Sequence, residues 1–375
     1  VIEMSWQQVS ARRLARAGLA APVQDGTPAQ VVTAMCGAHA QVMSASELSI
    51  ALRLEKATRA DVRRALWEER SLVKTYGPRG TVHVLPACDL PGWVGALSSL
   101  PTGRSPFAES VRMTPEQTDE VVAAIRTVLD GTCLTIDELT DAVVAATGPW
   151  AGEPVMPAFQ TMWPRWRQVM GLAAHRGAFV FGPVRGRKVT YTAPPGGLRP
   201  ADGRAELVKG YLSAYGPATS GQFARWLGAP KRWAEALFAS MELEQVLFEG
   251  ERAWVVAGDT EVPDEAPRGV RLLPYFDAYL VAGMPRELLY PGPAAERALA
   301  GGQAGNFPVL LVDGQVAGVW HQRRSGSRID VTVEPLAELG RARLDELDEQ
   351  VARVGEILEG RPRLTVGAVT VGPHA

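Results

Sequence analysis

Histidine and cysteine are scarce in this 375-residue chain. The five histidines, His39, His83, His175, His321 and His374, form no cluster with ligand spacing, so no metal is expected. The three cysteines, Cys36, Cys88 and Cys133, are too far apart for a zinc motif and too few for a disulfide framework. No charged-then-apolar leader opens the sequence, and no apolar run is long enough to span a bilayer. A cytoplasmic protein without membrane contact is the expectation. An excess of one charge is missing too: 39 Lys and Arg stand against 41 Asp and Glu. This argues against a uniformly basic surface but leaves room for a basic groove balanced by acidic outer faces. What is present is the 46% hydrophobic, 21% charged composition of a soluble globular protein, with enough residues for two to four units.

The stretch with the most chemistry is Met35-Cys36-Gly37-Ala38-His39-Ala40-Gln41-Val42-Met43. His39 and Gln41 bracket one small residue in an apolar run. Two positions apart, they share a face only on extended or turning backbone, since helical neighbours lie three or four apart. Gly37 before the pair favours a turn. Ser44 with Glu47 after it has the spacing of a capping box. The pattern predicts a helix–kink–helix corner. It is either a satisfied, half-buried polar corner or an imidazole and a carboxamide turned into a cleft to position a water.

In chain order, helices are expected over Ser5–Ala17, from Thr27-Pro28, over Glu47–Leu54 and over Arg59–Trp67. A strand–turn–strand follows over 72–85, which completes the outline of a winged helix. The order recurs. Thr114-Pro115 opens a helix to Leu129, Thr135 and Glu138 form a capping box, and Val155–Leu172 reads as a third helical stretch broken at Pro157 and Pro164. A hairpin over 179–192 ends this unit, with Arg185, Arg187 and Lys188 at its tip. A third copy runs from Arg204–Tyr215 through Gly221–Leu227 and Pro230–Met241 to a hairpin over 246–256. Asp259–Pro267 suits a linker. Beyond it lie a hairpin through Asp313-Gly314, a second hairpin tipped by Arg323, Arg324 and Arg328, an amphipathic helix over Leu339–Leu358 and a closing strand. The fold class is therefore α+β. Three tandem winged-helix units, 1–112, 113–200 and 201–258, precede a small β-rich C-terminal domain, 259–375. The basic tips either meet nucleic acid or guard exposed strand edges.

Several stretches together resemble the winged-helix DNA glycosylases of the AlkZ-like type. Tyr76-Gly-Pro-Arg-Gly-Thr-Val-His83 is similar to that family's first wing, and Tyr211-Leu-Ser-Ala-Tyr-Gly-Pro-Ala218 with Trp226 to its third unit. Leu272-Leu-Pro-Tyr-Phe-Asp-Ala-Tyr-Leu280 and Val312-Asp-Gly-Gln-Val-Ala-Gly-Val-Trp320 resemble its C-terminal signature. The resemblance covers most of the chain. The family's catalytic motif is Gln, an apolar residue, then Gln or Asp. Here His39-Ala40-Gln41 matches the second polar position and departs at the first, which leaves the division of roles open.

The resemblance implies an assembly arranged around a DNA-binding cleft, with a basic hairpin on the DNA. Arg323, Arg324 and Arg328 stand at that hairpin. It further implies a cofactor-free, monofunctional, monomeric glycosylase acting on double-stranded DNA that carries N7-alkylated purines, including bulky adducts and interstrand crosslinks. Self-resistance to a DNA-alkylating natural product is the context suggested by analogy. Alkylation at N7 makes the base a cationic leaving group, so the protein need only hold a water and stabilise an oxocarbenium-like sugar. Gln41 would orient that water and His39 would accept its proton. Asp277 is a further candidate for stabilising the sugar's charge, or else a turn cap. The rival class is a tandem winged-helix regulator or a drug-sequestering resistance protein without catalysis.

Overall fold

Side-chain capping sets where many of the helices begin. Ser5, Thr27, Thr114, Thr135 and Thr219 each accept a backbone N–H three residues on, and Gln8, Gln30, Gln117, Glu138 and Gln222 return the bond. The Asp61 carboxylate likewise accepts the Thr58 N–H at 2.7 Å. The computed structural model describes residues 2–101, 103, 107–158 and 161–373; His374 lies outside them. The fold is mixed α and β. Four helices precede the strand pair ending at Val82–Pro86; Pro115–Leu129, Ile136–Thr147 and Met170–His175, interrupted by a small hairpin, precede the one ending at Lys188–Thr192; and three helices precede the one ending at Glu251–Val256.

The chain divides into two compact units. The first comprises Val1–Leu72, Val84–Pro86 and Val208–Ala375. Ile2–Met4, for which no element was expected, pairs in parallel with Leu243–Phe248. The helix Trp6–Arg16 buries Val9 and Leu14 in a core with Val246, Val255, Leu273, Leu280, Val309 and Val319. A five-stranded sheet follows the order Val270–Leu273, Val309–Val312, Gln315–Ser325, Arg328–Pro335, Arg361–Val366. Its first four strands are antiparallel to their neighbours, and the last is parallel to Arg328–Pro335 because the helix Arg341–Ile357 crosses over between them. The Asp313-Gly314 turn has both residues at positive φ, as a two-residue hairpin requires. Gly355 lets this helix sit on the sheet, since a Cβ there would lie 2.5 Å from the Pro362 ring.

The second unit comprises Val73–His83 and Ala87–Leu207. Val121, Ile125 and Leu129 of one helix meet Leu139 and Val143 of the next over a fully buried Trp166. Tyr76, Phe179, Phe181 and Tyr191 form an aromatic cluster on the hairpin Val180–Arg185/Lys188–Thr192.

Two local expectations need correction. The helix after the corner starts at Met43, with Val42 as an N-cap that offers no side chain. Glu47 is then the fifth helical residue, too far along to cap. It is buried, and its carboxylate binds Arg63 at 2.7 and 3.0 Å. The stretch Val155–Leu172 is not a broken helix. It forms a small hairpin, Pro154–Pro157 with Met162–Pro164, then a 3-10 turn Arg165–Val169 leading into a short helix, Met170–His175. Prolines at 154, 157 and 164 each withhold an N–H and fix φ, which blocks helix propagation. The linker is anchored at its first residue, because Asp259 receives both Arg12 and Arg16.

Candidate functional site

The corner is built by a helix C-terminus that turns left-handed. The helix Pro28–Ala34 ends when the Gly37 N–H reaches back to the Val32 carbonyl and the Cys36 N–H to the Thr33 carbonyl. This is a Schellman turn, and it demands positive φ at Cys36, where φ is 51°. A non-glycine residue there costs about 1 kcal/mol. The Met35 carbonyl, past the helix's own bonding, accepts the buried Tyr215 hydroxyl at 2.5 Å. Burial raises the Tyr215 pKa well above its ordinary value, so that hydroxyl remains a donor.

From Ala38 the backbone is extended, and the side chains alternate as a strand requires. Ala38 and Ala40 are buried, His39 is half-buried and Gln41 is exposed. His39 and Gln41 thus lie on one outward face. The Gln41 backbone N–H points to His39 Nδ1 at 3.5 Å, the outer limit of a hydrogen bond. An accepting Nδ1 puts the ring proton on Nε2 and leaves the Nδ1 lone pair beside Gln41.

On the other side the imidazole stacks on Phe276, with ring centroids 4.7 Å apart and planes inclined by 22°. Phe276 has a φ of 54°, and its N–H donates to the Gly305 carbonyl at 2.9 Å. Gly305 leaves room for the ring, since a Cβ there would come within 3.1 Å of Phe276 Cδ1. Non-glycine residues at positive φ thus occur on both sides of the imidazole, the kind of held strain that gathers at functional sites.

Asp277 follows Phe276, but its carboxylate does not reach the surface. Its side chain is fully buried and receives both terminal nitrogens of Arg53, at 2.8 and 2.9 Å, with the Ser49 hydroxyl at 2.6 Å. It also accepts the Tyr279 N–H at 3.0 Å, which makes it the N-cap of the helix Ala278–Ala282. The sequence offered two roles for Asp277, and this geometry is that of the cap, with its charge matched by Arg53. Through Ser49 and Arg53 it ties the helix Met43–Ala51, just past the corner, to the turn that carries Phe276. Arg353 fastens the same helix at its far end by donating to the carbonyls of Ala51, Leu54 and Ala57.

The basic tips differ in what holds their charges. Arg185 binds Glu138 at 2.8 Å and Lys188 binds Asp137 at 2.7 Å, while Arg187 is exposed on the turn. Pairs this open are worth only about 0–1 kcal/mol and exchange readily. In the Gln315–Ser325/Arg328–Pro335 hairpin, Arg328 pairs with Asp330 at 3.1 Å and Arg323 is exposed. Arg324 instead turns to the carbonyls of Leu358 and Glu359, at 2.6 and 3.3 Å, and closes the end of the helix Arg341–Ile357. Among the described residues, no group of three His, Cys, Asp or Glu side chains is placed to hold a metal ion, and no helix is long and apolar enough to cross a membrane.

Phe276, Arg53, Ser49, Arg353 and Tyr215 carry no signal of this role in the sequence. In the Tyr275-Phe276-Asp277 segment only the carboxylate stands out as chemistry. The others announce themselves only through contacts with distant parts of the chain.

Comparison with known proteins agrees with this architecture. A family model described as DNA glycosylase AlkZ-like matches residues 32–357. An interstrand DNA cross-link repair glycosylase from Streptomyces sahachiroi is 31% identical over 384 residues, covering 98% of this chain and all of that protein. The solved structure of the Streptomyces sahachiroi DNA glycosylase AlkZ superposes with a TM-score of 0.83 at 30% identity, over 98% of this chain and all of the other. With the match spanning the corner, the Phe276 turn and the basic hairpin together, the chain belongs to the AlkZ-like family of DNA glycosylases.

Proposed function

We propose that this protein hydrolyses the N-glycosidic bond of N7-alkylated purines in double-stranded DNA, including those joined in interstrand crosslinks. The reading rests on the family and on a relative named for interstrand cross-link repair. One geometric observation carries the chemistry: His39 Nδ1 and the Gln41 backbone share an outward face 3.5 Å apart, with the imidazole backed by Phe276.

A water held by the Gln41 carboxamide oxygen takes the place of the long Gln41 N–H contact at His39 Nδ1 and attacks C1′. Its oxygen bonds to C1′ as the bond from C1′ to the purine nitrogen breaks. The electron pair leaves with the base and neutralises its positive charge, and the water's proton passes to Nδ1. No protonation of the base is required, so two uncharged groups suffice, and their contribution is to orient the water. Asp277 acts in this scheme as a positioning residue that keeps the Phe276 turn seated. The three helix-then-hairpin segments are read as tandem winged helices over 1–112, 113–200 and 201–258, followed by the β-rich region 259–375. Arg323, Arg328, Arg185, Arg187 and Lys188 supply phosphate contacts, and the working form is a cytoplasmic monomer.

The test is release of 7-methylguanine and unhooking of a crosslinked duplex, read as alkali-labile strand breaks. H39A and Q41A should each cut the rate by at least tenfold, with duplex affinity nearly unchanged. Unaltered rates in both variants would remove the assignment. Gel shifts from the wild-type protein without alkali-labile breaks would favour a non-catalytic binding protein.

A further inference from the structure

Strand register sorts the arginines near the C-terminal hairpin onto two faces. Arg323 pairs across from Asp330, and Asp330 across from Arg363. One row further toward the tip, Ser325 pairs with Arg328, and Arg328 with Arg361. Paired residues in neighbouring strands point the same way, so Arg323, Arg328, Arg361 and Arg363 share one face of the sheet. Arg324 sits opposite Ile329 and belongs to the other face.

That other face is the packed one. Ile329, Val331 and Val333 are fully buried, and Pro362 lies against Gly355 of the helix Arg341–Ile357. The arginine face remains open. Arg323, Arg328, Arg361 and Arg363 are all exposed. Its upper end is closed where Arg297, from the helix Pro293–Ala298, binds Glu334 at 2.8 Å. Toward the tip, the one carboxylate in these two rows is Asp330, and Arg328 engages it. Among the described residues, no carboxylate lies within ion-pair distance of Arg323, Arg361 or Arg363.

We infer that this open sheet face is a phosphate-binding surface for duplex DNA, with Arg361 and Arg363 of the edge strand as members and Arg324 excluded from it. The inference rests on the reading that the protein binds duplex DNA. Strands lie about 4.8 Å apart and alternate residues about 6.7 Å apart along a strand, so the four side chains spring from a patch of roughly 7 by 10 Å. Four guanidiniums against one carboxylate fit a polyanion, and planar forked donors fit phosphate oxygens. A charged edge strand also resists pairing with another sheet, but that function needs no cluster extending inward across three strands. Sequence order hides the surface: Arg361 and Arg363 lie more than 30 residues from the hairpin tip and reach it only through the parallel pairing of the closing strand.

The test is the salt dependence of binding to an undamaged labelled duplex, followed by fluorescence anisotropy. Wild-type affinity should fall steeply and linearly on a log–log plot. R361A/R363A should flatten the slope by about 0.9 for each phosphate no longer neutralised. R361K/R363K, which keeps both charges, should retain most of it. R324A should lower Tm and leave the slope unchanged. The surface is overturned if R361A/R363A folds with the wild-type Tm and keeps the wild-type slope, or if R324A flattens the slope as much as the double variant does. Should R361A/R363A fail to fold, R361Q/R363Q gives the same reading. A wild-type protein without salt-dependent duplex binding would overturn the DNA reading itself. Normal wild-type binding with an unaltered variant slope would overturn only this surface.

Discussion

The imidazole of His39 lies against the ring of Phe276, 4.7 Å between centroids and 22° from parallel, although the two lie 237 positions apart in sequence. One face of His39 is therefore fixed by packing, while Nδ1 is turned to the Gln41 backbone. Aromatic pairs of this kind contribute about 0.5–1.5 kcal/mol beyond their buried area. If the stack orients the base, F276A should lower kcat by about two- to tenfold with KM for duplex little changed. F276Y should restore most of the rate. Single-turnover release of 7-methylguanine measures this, and an F276A enzyme with wild-type kcat would free the stack of any positioning role.

Beneath that stack, Arg53 and Asp277 form an ion pair whose side chains are almost wholly buried. Removing one partner leaves the other charged and unmatched inside the protein, at a cost of about 3–5 kcal/mol. D277L should therefore lower the denaturation midpoint sharply. R53M/D277L, which removes both charges, should recover a large part of that loss. Urea titration of the two variants checks the prediction. A double variant no better than D277L would mean that the cap on Tyr279 and the bond from Ser49, rather than the charge pairing, carry the stabilisation.

Helix starts were largely legible in the sequence because capping is local: a threonine and the acceptor three residues on are visible without any tertiary structure. The Thr135 box appears where the spacing put it, and the helix opened by Thr114-Pro115 starts there. Ser44 and Glu47 show the limit of the rule. The same spacing occurs inside a helix that begins one residue earlier, and Arg63, a partner from the next helix, takes the glutamate. The two-residue spacing of His39 and Gln41 allows a shared face on extended backbone, and burial of Ala38 and Ala40 turns both outward. What lies behind that face did not follow, because Phe276, Arg53 and Tyr215 meet the corner through contacts that no local pattern encodes. Arg324 shows a second limit. Alternation already separates it from Arg323, but a cluster of guanidiniums at a turn reads as one tip until the helix carbonyls that claim Arg324 are seen.

Asp259 anchors the segment after the third hairpin to the first helix, and its pKa is held below the ordinary carboxylate range, chiefly by the hydrogen bond from Arg16 and also by the nearby charge of Arg12. A carboxylate whose folded pKa is depressed adds stability that is complete above its unfolded value. That stability disappears as pH falls through the folded value. Wild-type Tm should therefore decline as the pH is lowered from about 5 through the carboxylate range, in part through this group. D259N should begin with a lower Tm at pH 7 and show a shallower acid limb. Parallel acid limbs for the two proteins would show that the ion pair contributes nothing to acid sensitivity. The carboxylate is partly exposed, so the difference should be small and should shrink in high salt.

Tyr215 supports the corner from behind by donating its hydroxyl to the Met35 carbonyl, which lies beyond the bonding of its own helix. Y215F keeps the ring and its packing against Tyr211 while leaving that buried acceptor unmatched. The expected loss is about 1–3 kcal/mol, the penalty for a buried polar group without a partner. Because burial raises the Tyr215 pKa, the donor is retained through neutral and mildly alkaline pH, and the effect should not vary with pH there. The loss should be local as well as global. The amides of Cys36 and Gly37, which close the left-handed turn, should exchange faster in Y215F than in the wild type, and glycosylase turnover should fall because that turn sets the direction in which His39 emerges. Hydrogen exchange at those two amides separates this account from simple destabilisation. If they exchange no faster than the rest of the helix Pro28–Ala34, the hydroxyl stabilises the unit without shaping the corner.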